Sequence, residues 1–567
     1  MQSSQIPWWS QAVVYQVYPR SFADSDADGV GDLRGILSRL DHLSDLGVDV
    51  VWLSPIYVSP QDDNGYDIAD YQAIDPMFGT LEDFDALVAA VHERGMKLVM
   101  DLVVNHTSDE HPWFVEAKQP GSAKRDWYLW RPARDGFEPG TPGAEPTNWG
   151  SFFGGSAWQY DEASGEYYLH LFSRKQPDLN WENPEVRQAV YAMMRWWVDR
   201  GVDGFRMDVI NLISKNYPLT DGRQGPGEPY SFEIERVANG PRLVEFLEEM
   251  NAEVGIDERQ LFTVGEMVSC TADHARAYTS RHHHRLGMVF TFEHVQLDQR
   301  TGKLTPNPVR LSELKQNLAH WQRALAEDGW NSLYFENHDQ PRSVSRFGDD
   351  SPEHRVASAK ALATVLHLHQ GTPYVYQGQE IGVTNAGFTT IEQYADIEAH
   401  GMYRQLLAAG VPSEQLLDAL GRMGRDNART PMPWDGSPHG GFTTGTPWLP
   451  LGAGHETINV VADRAAADSI FEHYRKLIAL RHELEVVRTG AFQLLLPDDD
   501  TLWAFTRSWG DEVLLVLANM SSYLASVPVG ELPSLEDARL ILSSGSAGTD
   551  VQTLQPWEAR VYRLATG

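Results

Sequence analysis

Short β-branched or aromatic runs recur along the chain, and most are followed by a stretch with helical periodicity. Eight of them read as strands: Val13–Tyr18, Val48–Ser54, Lys97–Val104, Val202–Asp208, Leu261–Glu266, Met288–Phe292, Ser332–Asn337 and Pro373–Gln377. Several are nearly unbroken apolar runs, the pattern of parallel strands covered on both faces. The intervening helices carry their own punctuation. Leu33–Leu46 ends at Gly47, and Thr80-Leu-Glu-Asp83 has the spacing of a capping box before a helix that stops at Gly95. Asn183 and Pro184 offer a cap and a first-turn proline to a helix that stops at Gly201. Strand–helix alternation repeated eight times predicts an α/β fold, a closed (β/α)8 TIM barrel, with an open doubly wound sheet as the alternative.

The alternation is interrupted twice and then ends. Residues 1–104 read as the first part of the barrel, and 105–178, rich in Gly, Pro, Trp and Tyr, as an irregular lobe inserted after the third strand. Residues 179–486 resume the barrel, with a loop-rich excursion at 378–451 and a last helix over Ala465–Arg481. Alternating runs at Leu502–Ser508, Val513–Asn519 and Ala559–Leu564 predict a C-terminal antiparallel β-sandwich over 487–567.

Composition narrows the function classes. Hydrophobic residues make up 42% and charged residues 22%, an ordinary globular balance rather than a disordered one. Lys and Arg number 46 against 79 Asp and Glu, a net charge of −33 that repels phosphate backbones and anionic lipid. Neither nucleic acid nor a membrane is expected as a partner. The single cysteine, Cys270, excludes an internal disulfide and any cysteine-based zinc site. The first residues lack the basic and apolar segments of a secretion signal, so a cytoplasmic location is expected, as a monomer or weak homo-oligomer.

Polar residues gather at the C-terminal ends of the predicted strands: Asp101–His106 after the third, Arg206 and Asp208 on the fourth, Glu266 on the fifth, His338 and Asp339 after the seventh. A barrel brings those ends onto one face, where its active sites lie. A lone acid after a strand is usually a cap or turn former. Carboxylates at successive strand ends, each beside His or Arg, are harder to explain that way.

Asp101-Leu-Val-Val-Asn-His106, Gly204-Phe-Arg-Met-Asp208, Gly265-Glu266 and Asn337-His-Asp339 resemble the four short regions that mark the α-amylase family of glycoside hydrolases. Gln176-Pro-Asp-Leu-Asn180, Asn337-His-Asp-Gln-Pro-Arg342 and Gly424-Arg-Asp-Asn-Ala-Arg-Thr-Pro-Met432 resemble its oligo-1,6-glucosidase and α-glucosidase branch. The likeness covers essentially the whole chain. It implies a retaining α-glucosidase that releases glucose from the non-reducing end of short α-glucosides, with Asp208 as nucleophile, Glu266 as general acid/base and Asp339 on the hydroxyls of the distorted sugar. Arg206, two residues before Asp208 on the same strand, can keep that carboxylate ionised. The resemblance further implies His106 and His338 at the same sugar, Tyr66 stacked on it, Asp67 with Arg425 closing the pocket, and Phe172 in its wall. Val209, directly after the nucleophile, goes in this branch with α-1,6 linkages such as isomaltose.

The first loop, Asp24-Ser-Asp-Ala-Asp-Gly-Val-Gly-Asp32, has acids at alternate positions, as hard cations require. It also resembles the family's single calcium loop, which implies Asp24, Asp26, Asp28, Asp32 and the Val30 carbonyl as ligands of a structural Ca2+, with Mg2+ or a solvated acidic turn as alternatives. Two further readings stay open: an α-1,4-preferring or transglucosylating glucosidase, and a sucrose isomerase. In isomerases a loop after the sixth strand reads Arg-Leu-Asp-Arg-Asp, whereas Gln296-Leu-Asp-Gln-Arg300 here changes the charged positions.

Overall fold

The computed structural model describes residues 7–225, 229–280, 282–300, 302–545 and 551–565. Eight parallel strands follow one another around a barrel: β1 (Val14–Val17), β2 (Val50–Leu53), β3 (Lys97–Val103), β4 (Gly204–Asp208), β5 (Phe262–Glu266), β6 (Met288–Phe290), β7 (Ser332–Leu333) and β8 (Thr372–Tyr376). Pairing runs in sequence order from β1 to β6, and β8 pairs with both β1 and β7. A parallel bridge from Val289 to Asn331 closes the ring.

The period of two along each strand decides what faces the axis. Val14, Val50, Val99, Phe262, Val264, Met288, Phe290 and Tyr374 form one buried cluster inside the barrel. The alternate residues, among them Val13, Tyr15, Val17, Val51, Leu53, Leu98, Met100 and Phe205, pack with the surrounding helices. Gln16, Trp52, Asp101, Arg206, Asp208 and Glu266 share the parity of the interior set. They therefore continue the barrel filling upward as polar side chains, and that step from apolar to polar makes the site.

The helices form where their caps are. Thr80 and Asp83 exchange side-chain and backbone hydrogen bonds at the start of Leu81–Glu93, which buries Phe84, Leu87, Val88 and Val91. The Asn183 side chain accepts from the Glu185 N–H ahead of Pro184–Asp199. The predicted Leu33–Leu46 helix is broken in two at Arg39, where φ −112° and ψ 5° leave helical geometry, and Gly47 ends it at φ 90°, in the region where glycine has no steric penalty. Strand β7 is shorter than the predicted Ser332–Asn337: beyond Leu333 the chain leaves the ladder, and Glu336 pairs instead with Arg342 and the Ser343 N–H.

The lobe after β3 contains a three-stranded antiparallel sheet, Trp130–Arg131, Trp158–Asp161 and Glu166–Leu169, tied to the barrel by bridges His106–Asp178 and Tyr128–Leu179. The stretch after β8 is more helical than its composition predicts. Ile397–Ala408 and Ser413–Met423 form because Asp396 caps the first and Leu416, Ala419, Leu420 and Met423 bury one face of the second. At the C-terminus, β9 (Ala491–Leu495), β10 (Leu502–Trp509), β11 (Glu512–Asn519), β12 (Arg539–Ser543) and β13 (Ala559–Arg563) make an antiparallel sheet in the order β9-β10-β11-β13-β12, beside a second small sheet of Ala525–Ser526 and Thr553–Leu554. Lys315, on the barrel helix Leu311–Ala324, fixes that sheet by donating to the carbonyls of Leu496, Asp499 and Leu502 at 2.5, 2.5 and 2.8 Å. Among the described residues no helix is long and apolar enough to cross a membrane.

Candidate active site

Asp101 on β3 and Arg206 on β4 are direct neighbours in the parallel register. Arg206 is 1% exposed and its guanidinium joins three carboxylates. Nη1 lies 2.6 Å from Asp101 Oδ1 and 2.6 Å from Asp208 Oδ1, and Nη2 lies 2.6 Å from Glu266 Oε2. One planar cation can touch the Asp208 and Glu266 carboxyls at once only if they are close neighbours. A retaining glycosidase needs them about 5–5.5 Å apart.

A single positive charge cannot keep three buried carboxyls ionised. Burial raises Glu266 to about 8, with Asp208 and Asp339 adding to the rise against the pull of Arg206. Burial raises Asp208 to about 6, again against Arg206. Asp101 rises to about 6 for the same reason. Near neutral pH the arrangement therefore favours a proton on Glu266 and a charge on Asp208. The Val209 N–H donates to Glu266 Oε2 at 3.2 Å, from a backbone at φ 35° and ψ 40°. That left-handed conformation is rare for a β-branched residue and marks a strained turn directly after Asp208.

Asp339 meets different surroundings. Burial opposes its charge, but His338, Arg425, Arg429 and Arg206 hold its carboxyl far below the usual range. Arg429 Nη2 is 2.7 Å and Arg425 Nη1 3.3 Å from Asp339 Oδ1. His338 and His106 are kept neutral by burial, which lowers them to about 3 and about 4. Tyr66 stacks on His338 with ring centroids 5.3 Å apart, and its hydroxyl lies 2.7 Å from His338 Nε2. Gln16 holds the other ring nitrogen of His338 at 2.8 Å. His106 Nε2 lies 3.1 Å from the Tyr66 carbonyl and 3.1 Å from Gln176 Nε2. Phe172 covers the His106 ring at 5.2 Å and meets Phe152 and Phe153.

One expectation needs correction. Asp67 does not face Arg425. Its carboxylate is enclosed by its own loop, accepting from Ser59 Oγ, Asp62 N and Asp63 N at 2.9, 2.9 and 3.1 Å. The acid at Arg425 is Asp63, with its Oδ1 3.3 Å from Nη2. In the first loop, carboxylate oxygens of Asp24, Asp26 and Asp28 lie within 4.8 Å of one another, but Asp32 is not among them. Asp32 caps the helix Leu33–Ser38 and accepts from Ser25 N, Ser25 Oγ and Gly35 N. The Val30 N–H donates to Asp28.

Sequence reasoning also missed residues that build the site. Asp101 belonged to a recognised motif but had no role. Arg429 stands four residues after Arg425, the spacing of side chains on one helical face. Asp396 and Lys215 had no local signal. Lys215 is buried at 2% exposure and bonds Asp178 Oδ2 at 2.9 Å and Asn105 Oδ1 at 3.2 Å, pinning the lobe beside His106.

A barrel whose strand ends carry this carboxylate and arginine set defines a class, and comparison agrees. The family model for the alpha amylase catalytic domain matches residues 16–490, and the chain belongs to the α-amylase family of glycoside hydrolases. It is 52% identical over 562 residues to an oligo-1,6-glucosidase of Halalkalibacterium halodurans, with 98% of each chain covered. Among solved structures, the trehalose-6-phosphate hydrolase of Bacillus licheniformis matches with a TM-score of 0.91 at 45% identity, covering 99% of this chain and 100% of that one. The isomaltulose synthase of Klebsiella sp. LX3 matches at 0.93 and 39%, with the same coverage.

Proposed function

We propose that the protein is a retaining, exo-acting α-glucosidase that releases glucose from the non-reducing end of short α-glucosides and favours α-1,6 linkages. The observation that carries this reading is Arg206 bonded at once to Asp208 and Glu266, with the two carboxyls pushed to different protonation states. Asp208 attacks the anomeric carbon as Glu266 passes its proton to the departing glycosidic oxygen. Glu266, now ionised, then takes a proton from water, which attacks the glucosyl–Asp208 ester and frees the carboxylate. Asp339, held ionised, accepts from the sugar hydroxyls. Arg425 with Asp63 and Asp339 blocks the far end of the pocket, so a chain enters only by its terminal glucose.

The α-1,6 preference rests on Val209 and on the oligo-1,6-glucosidase relative. An isomerase is disfavoured because Asp298 and Arg300 of the loop after β6 are turned to protein partners, Arg346 and Glu313, each at 2.7 Å. The Asp24, Asp26 and Asp28 carboxylates supply the oxygen donors that a structural Ca2+ or Mg2+ takes, and the crowding of acids fits a cation: slight burial and then Asp28, Asp24 and Asp32 raise the Asp26 carboxyl. A substrate panel of isomaltose, maltose, sucrose, trehalose, trehalose 6-phosphate and isomalto-oligomers, with products identified, tests the reading. Glucose from isomaltose at the highest kcat/KM is expected. A strong preference for maltose or trehalose 6-phosphate, or isomaltulose from sucrose, overturns it.

A further inference from the structure

Arg425 comes from the stretch after β8, far from any barrel strand, and something must hold it at the end of the pocket. Its contacts fall into two groups. Toward the pocket it meets Asp63 and Asp339, both at 3.3 Å. Behind, Asp396 grips it with two oxygens, at 3.0 Å to Nε and 2.5 Å to Nη2, and Glu398 lies 3.4 Å from Nε. A fork of two short charged hydrogen bonds fixes direction as well as position. The longer contacts on the pocket side are the ones a sugar hydroxyl can replace.

Asp396 itself cannot move freely. It is fully buried, its side chain caps Ile397–Ala408 by accepting from the Glu398 N–H at 3.0 Å, and its own N–H is held by Asp426 at 2.9 Å. Its Oδ1 also lies 3.7 Å from Arg429 Nη1, so one carboxylate backs both guanidinium groups that flank Asp339. Behind it, Lys303 from the loop after β6 reaches Glu398 at 2.5 Å. We infer that Asp396 is a positioning residue for glycone binding: it holds Arg425 back from Asp63 and Asp339, so that the terminal glucose, rather than the arginine, occupies the space between them. This rests on the glucosidase reading above.

Without the rear carboxylate, Arg425 keeps Asp63, Asp339 and Glu398 as its acidic partners among the described residues, and it closes on the two that face the pocket. The loss must therefore appear in binding of the glucose ring. Asp396→Asn should raise both KM for 4-nitrophenyl α-glucoside and the inhibition constant of glucose by about 10–100-fold, the range for a lost charged hydrogen bond. kcat should change less than about fivefold, because Arg206, Asp208 and Glu266 are untouched, and Asp396→Glu should recover part of the loss. A double variant, Asp396→Asn with Arg425→Met, leaves no extra buried charge; its glucose inhibition constant should equal that of Arg425→Met alone. That comparison decides the matter even where Asp396→Asn alone does not fold. An unchanged glucose inhibition constant in Asp396→Asn, or additive losses in the double variant, overturns the inference. A wild-type enzyme that releases no glucose overturns the glucosidase reading instead.

Discussion

Two arginines organise the two ends of the pocket, and Asp101 and Asp339, one from each end, are shifted in opposite directions. Arg206 stands alone among Asp101, Asp208 and Glu266, and all three acids are raised, to about 6, about 6 and about 8. Arg425 has Arg429 beside it, and Asp339, touched by both, is driven far below the ordinary carboxylate range. The same residue types give a proton store at one end and a fixed negative charge at the other. What sets Asp339 apart is that two guanidinium groups meet on one carboxylate, whereas Arg206 is divided among three; Asp63, which meets Arg425 alone, is still raised by burial to about 7.

The strongest way to break this contrast is at the catalytic end. Asp208→Ala should lower kcat/KM for isomaltose by about 10⁴-fold or more, as for other catalytic nucleophiles; turnover within a hundredfold of wild type would move the nucleophile elsewhere. Next comes the pH profile. Asp208 must be ionised, so kcat/KM should fall as pH drops through about 6. Glu266 must hold its proton, so activity should fall again as pH rises through about 8. Glu266→Gln, assayed on 4-nitrophenyl α-glucoside with its good leaving group, should lose the alkaline limb. If that limb persists, another group carries the proton.

At the other end the expected effects are on binding. Asp63→Asn should raise KM by about 10–100-fold, because the carboxylate that faces Arg425 is lost. Asp67→Asn should leave KM within a few fold and lower Tm, because its three hydrogen bonds hold the loop. The reverse pattern would restore Asp67 to the pocket. Val209→Thr should shift the isomaltose-to-maltose ratio of kcat/KM toward maltose by about tenfold, a step of the size pockets achieve by small changes of shape. No shift would detach linkage preference from this position.

The contrast also separates what the chain made legible from what it did not. Arg206, Asp208 and Glu266 sit on strands, where a period of two tells inward from outward, so their convergence could be reasoned from alternation and barrel closure. Arg425 could be recognised only by resemblance, because it lies on a stretch whose path no periodicity predicts. The same ambiguity explains Asp67: in Asp62-Asp-Asn-Gly-Tyr-Asp67 three acids compete for one loop, and only the fold shows which is bonded inward to its own backbone and which meets the arginine. Asp396 left no trace at all, since a helix-capping acid looks the same in sequence whether or not it also grips an arginine.

The smallest effect is expected farthest from either arginine, in the first loop. There three acids stand together with no ion-pair partner among the described residues, which leaves either a bound cation or mutual repulsion. If Asp24, Asp26 and Asp28 hold Ca2+, adding it should stabilise the fold by about 2.7 kcal/mol at a hundredfold excess over Kd. EDTA should lower Tm by about 2–4 °C, while kcat at 25 °C stays unchanged because no step of the reaction runs through this loop. Asp26→Asn should abolish the Ca2+-dependent part of Tm. Asp32→Asn should lower Tm whether or not Ca2+ is present, since it removes a helix cap rather than one of the gathered carboxylates. Equal loss of the Ca2+ response in both variants would return Asp32 to the cation, and no response in the wild type would leave a solvated acidic turn.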